Sequence, residues 1–90
     1  MKTGIELIAI ERQEQIEKHG RTIKNDVEEN KLYQLQDAAI MLMQEERFGM
    51  NPPNNWDIDL WFKMISKPEK ERLIIAGALI AAEIDRLNFK

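Results

Sequence analysis

The sequence predicts an all-α fold: a small helical bundle of three main helices plus one short helix, in a single domain of residues 1–90. Apolar residues recur at three- and four-residue spacing, and nowhere do they alternate long enough to make a strand. Residues 73–82 form one unbroken apolar run that ends abruptly in Glu83-Ile84-Asp85-Arg86. A single clear loop, Met50-Asn51-Pro52-Pro53-Asn54-Asn55, interrupts the pattern, because two prolines remove donors and push their predecessors toward extended backbone. There is no internal repeat and no low-complexity tract.

The first helix is expected near residues 4–19. Thr3 and Glu6 have the spacing of a capping box, in which hydroxyl and carboxylate each satisfy a free backbone donor. Ile5, Ile8, Ala9 and Ile16 then share a face, and Gly20 suits a left-handed C-terminal residue. A second helix is expected near 30–47, capped by Asn25 with Glu28 or by Asn30 alone. Leu32, Leu35, Ala39 and Leu42 carry its period, and Gly49 ends it. After the proline loop a short helix near 57–65 takes its cap from Asp57 or Asp59. Ser66-Lys67-Pro68 punctuates before the last helix, near 68–87, whose first turn accommodates Pro68.

The apolar run is too short to span a bilayer, so it reads as a helix buried on nearly every side. Gly77 and Ala81, and likewise Ala78 and Ala82, stack four apart and allow another backbone to approach closely. A chain of 90 residues buries only about 60–65% of its unfolded surface and is marginal alone. Without cysteine it has neither a disulfide nor a thiolate zinc site, which leaves oligomerisation. Self-association through the small-residue face of the last helix is the expectation. A cytoplasmic location is the expectation, since there is no cysteine and Met1-Lys2 leads straight into an amphipathic segment.

A formal charge of -3 with interspersed signs argues against general nucleic-acid binding, which needs a basic face. Acids dominate from Asp26 to Asp59, whereas Arg12, Lys18, Arg21 and Lys24 make the end of the first helix basic, where a small anion would be drawn. The plainer account is a solvated helix face with ordinary ion pairs. Arg12 interrupts an apolar stripe and must snorkel or meet an acid, with Glu83 the expected partner across the bundle. The functional alternative has Arg12 gripping a phosphate, with Glu83 or Asp37 holding a base, a sugar hydroxyl or a metal. Trp56, Trp61 and Phe62 cluster near the proline loop, where they either cover the end of the core or offer a stacking surface to a nucleobase. The five methionines read as core filler, and His19 as a cation at a helix end.

Glu11, Glu14 and Glu17 follow at intervals of three, so neighbours on the helix can share a divalent cation. With Gln34-Leu35-Gln36-Asp37 this resembles the MazG-type all-α nucleotide pyrophosphohydrolases, whose paired helices carry E-x-x-E and E-x-x-D motifs. The resemblance implies magnesium held by Glu11 and Glu14, or Glu14 and Glu17, together with Asp37. Gln34 stands where that family places a glutamate, and a neutral amide is a poorer magnesium ligand.

A second resemblance covers more of the chain. Residues 10–20, IERQEQIEKHG, and 70–87, KERLIIAGALIAAEIDRL, are similar to a group of small phage and prophage proteins and to the C-terminal part of Ead-type phage accessory proteins. That group carries an acidic, histidine-containing stretch before its second helix and a tryptophan-proline loop before its last. Here residues 25–30, NDVEEN, lack the histidine, while Pro52, Pro53, Trp56 and Trp61 approximate the loop. The resemblance implies an accessory protein acting within or against a host. Three functions are expected from different classes: a nucleotide-binding sponge, a factor that grips a host protein, and the magnesium-dependent pyrophosphohydrolase. The sponge reading takes no cofactor and assigns Glu11, Arg12, Gln15, Lys24, Asp37, Trp56, Trp61 and Glu83 to the ligand.

Overall fold

A capping box begins the first helix: Thr3 N donates to Glu6 Oε1 at 3.1 Å and Glu6 N to Thr3 Oγ1 at 3.2 Å. In the computed structural model, which describes residues 1–19, 23–30, 33–46, 48, 51–53 and 56–89, five helices follow in order. They are α1 (Gly4–His19), α2 (Ile23–Glu29), α3 (Gln34–Met43), α4 (Ile58–Ile65) and α5 (Glu69–Asn88). Among the described residues there is no strand. No helix is long and apolar enough to cross a membrane. Gly20, Leu32, Arg47, Gly49, Asn54 and Asn55 lie outside the described residues, as does the side chain of His19.

Within the range 30–47 expected for the second helix lies α3, shorter than expected, and α2 is an additional helix that precedes it. Asn25 sits inside α2 rather than capping it, and α3 starts only at Gln34. The break is enforced at Tyr33, whose left-handed φ of 68° ends any continuous helical path and supplies no side-chain cap. Asn30 turns inward instead: its amide donates to Asp26 at 2.8 Å and its carbonyl accepts from Trp56 Nε1 at 2.8 Å. By contrast α4 starts as expected, with Asp57 accepting from Leu60 N at 2.9 Å.

The last helix is the hub. Each of α1–α4 packs against α5, α3 most extensively, and among the described residues none of the four packs extensively on another. Leu35, Ala38, Ala39 and Leu42 of α3, Trp61, Met64 and Ile65 of α4, and Ile75, Ala76, Leu79 and Ala82 of α5 make the core. Trp61 is wholly enclosed and meets Trp56 edge to face at 6.1 Å. Its indole N–H has no acceptor among the described residues. That costs about 1–3 kcal/mol, less than the roughly 3–5 kcal/mol that a buried tryptophan contributes by filling its space.

The run 73–82 is not covered on every side: Leu73 and Ile80 stand nearly half exposed. Its small residues do admit a close neighbour, but from the same chain. A Cβ on Gly77 would come 2.6 Å from Ile8 Cδ1 of α1, and Ala78 and Ala82 are buried within the core. The end of α3 is held from a distance by Arg72, a buried guanidinium that donates to the carbonyls of Leu42 at 2.7 Å and Lys67 at 2.9 Å. A cation at a helix C-terminus satisfies carbonyls that have no partner within the helix.

Candidate functional site

Two places concentrate polar groups, and the residues singled out from the sequence divide between them. On α1, Glu11, Glu14 and Gln15 are spaced to share a face; on α4 and the turn after it, Leu60, Lys63, Met64 and Lys67 repeat at three and four. Together with Ile75 of α5 these seven side chains line a groove of about 300 Å³. An adjoining hollow of about 320 Å³ shares Glu11, Glu14, Lys67 and Ile75, and extends the groove along α1 to Leu7, Ile10, Glu71 and Ile74.

Gln15 is only 3% exposed. Its Nε2 donates to Glu11 Oε2 at 3.3 Å, while Oε1 is closed to solvent and has no donor among the described residues. Glu14 is exposed and stands 3.9 Å from Lys18, a surface pair of small energetic weight. Lys63 and Lys67 have no carboxylate within ion-pair distance among the described residues. The groove therefore carries two available ammonium groups, an apolar strip of Leu60, Met64 and Ile75, and one buried acceptor.

The second place is the far end of α1, where it meets the C-terminal half of α5 and α2. Arg12 does not pair with Glu83. Its Nη2 donates to Asp85 Oδ2 at 3.5 Å, and Glu83 is taken by Arg86, whose Nε and Nη2 donate to its two carboxylate oxygens at 2.6 and 3.2 Å. Residues three apart on one helix meet without closing a loop, so the local partner displaces the distant one. The bond to Glu83 holds Arg86 still more firmly protonated than an ordinary guanidinium, against the opposing effect of its burial. Asp26, wholly buried, accepts from Asn30, which in turn holds Trp56. These charges answer one another.

Of the expected ligand residues, then, only Glu11 and Gln15 meet in the groove. Arg12, Glu83 and Trp56 belong to the buried polar end, Trp61 lies in the core with no face to solvent, and Lys24 and Asp37 are exposed on α2 and α3. Lys63 and Lys67 were missed. Their signal was present in the three- and four-residue spacing of Leu60-Lys63-Met64-Lys67, which puts two cations beside two apolar residues on one face.

Among the described residues no three Asp, Glu or His side chains are grouped to hold a metal. The helices carrying Glu11, Glu14 and Asp37 each pack on α5 without an extensive contact to each other. Compared with protein-family models, curated proteins and solved structures, the chain matches none.

Proposed function

We propose that the protein binds a nucleotide-like anionic small molecule in the groove between α1, α4 and α5 and holds it unchanged, as a sequestering accessory protein of the phage type. The observation that carries this reading is the pair of ammonium groups, Lys63 and Lys67, which meet no carboxylate among the described residues and stand beside an apolar strip and the polar face of α1. Phosphates suit the two lysines as point charges, while a base lies against Leu60, Met64 and Ile75. A volume of about 300 Å³ is at the small end for a ligand site and matches a mononucleotide rather than a long oligonucleotide.

Native mass spectrometry with mixed nucleotides and magnesium tests the reading. A nucleotide mass retained intact by the parent chain, and lost in the Lys63→Ala/Lys67→Ala double variant, is expected. Monophosphate and pyrophosphate products would replace sequestration with hydrolysis, and retention untouched by the lysine changes would move the site elsewhere.

The outer edge of α5 favours a second reading, association with another copy of the chain. Leu73, Ile80, Ile84 and Leu87 are each roughly half exposed and recur at seven and three or four, the spacing of a helix-pairing seam. Light scattering on the parent and on Ile80→Lys/Ile84→Lys decides it: a dimer that becomes a monomer supports the seam, and a monomeric parent removes it.

A further inference from the structure

Resting on the nucleotide reading, we infer that the ligand's base carries an exocyclic amino group and that Gln15 reads it. A glutamine amide has a donor end and an acceptor end. Glu11 decides which faces which way, because an ionised carboxylate only accepts, so the NH₂ must point to it and does, at 3.3 Å. Gln15 lines the groove, and its carbonyl Oε1 is the end that Glu11 does not take. It is buried, closed to solvent and without a donor among the described residues.

A buried acceptor left in that state penalises the empty groove, and a ligand group that donates removes the penalty. A ligand carbonyl at the same place would set acceptor against acceptor. The lysines do not answer Gln15 in the empty groove, and with phosphate bound their ammonium groups are occupied. Admission of the amino group to Oε1 requires a lining side chain to move. Met64 is the natural one, being unbranched and freely rotating about three bonds. The chemistry selects adenine, cytosine or guanine nucleotides over those whose base has no amino group.

Calorimetric titration of the full chain with two matched pairs separates the outcomes: AMP against purine riboside 5′-monophosphate, which lacks only the amino group, and CMP against UMP. At least one amino-bearing member is expected to bind about tenfold or more tightly than its match. Gln15→Leu brings the pair to within about twofold, and its thermal midpoint stays at or above the parent's because an unpaired buried acceptor has been removed. Glu11→Gln, which no longer fixes the direction of the amide, relaxes the discrimination and serves should Gln15→Leu fail to fold. Equal affinities within both pairs, or discrimination surviving Gln15→Leu, overturn the role of Gln15 while leaving the nucleotide reading intact. Failure of all four nucleotides to bind overturns both.

Discussion

The groove and the polar end differ in what their charges meet. At the polar end Glu83 meets Arg86, Arg12 meets the partly exposed Asp85, and the buried Asp26 meets Asn30. Along the groove Lys63 and Lys67 meet no carboxylate, and Gln15 Oε1 no donor, among the described residues. Burial of charge by itself marks a structural network; unfilled hydrogen-bonding capacity beside a hollow marks a place for something else.

If the polar end is structural, damaging it should cost stability. Glu83→Ala leaves the partly buried Arg86 guanidinium without its carboxylate and is expected to destabilise by about 2–3 kcal/mol in chemical denaturation. A loss under 1 kcal/mol would mean that the end is wetter and looser than described. The seam between the two regions comes next. Gly77→Val drives a branched side chain into Ile8 and pushes α1 off α5, costing about 1–3 kcal/mol. Because α1 is one wall of the groove, nucleotide affinity should fall with it.

A gain is expected at Tyr33, where glycine relieves the left-handed strain: Tyr33→Gly should stabilise by about 1 kcal/mol without touching the groove. The groove lysines should behave oppositely to Glu83. Lys63→Ala/Lys67→Ala leaves the unfolding free energy within about 0.5 kcal/mol of the parent while abolishing retention of nucleotide. Smallest is the pH effect at the start of α1. Hydrogen bonds from Thr3, the backbone N–H first, hold Glu6 below its ordinary pKa of 4.5. The folded value being the lower, this stabilisation is complete above the unfolded pKa and is lost as pH falls through the folded one. A Glu6→Gln variant, which removes the titrating carboxylate, should show a flatter acid limb in thermal melts; an unchanged limb would deny the capping box any role in the pH dependence.

Much of the fold was legible because its signals are local. The Thr3–Glu6 box, the Asp57 cap and Pro68 each declare a helix start within four residues, and the helices begin there. The break at Tyr33 was not legible, since a left-handed tyrosine has no composition that announces it. Nor was the partner of Arg12, which only the rotation of α1 against α5 assigns to Asp85, whereas the three-residue spacing of Glu83 and Arg86 on one helix was there to be read. The groove was half legible: Glu11 and Gln15 stood out on α1, whereas the lysines opposite needed the knowledge that α4 turns that face toward them.

That α5 supports every other helix also fixes the timing of folding on the ribosome. Roughly 50 residues separate the end of α1 from the start of its support. At about 5–20 residues per second, α1 waits some 3–10 s with its apolar side unclaimed. With α5 their one extensive support among the described residues, the helices before it are recruited together when it arrives rather than one after another as they emerge.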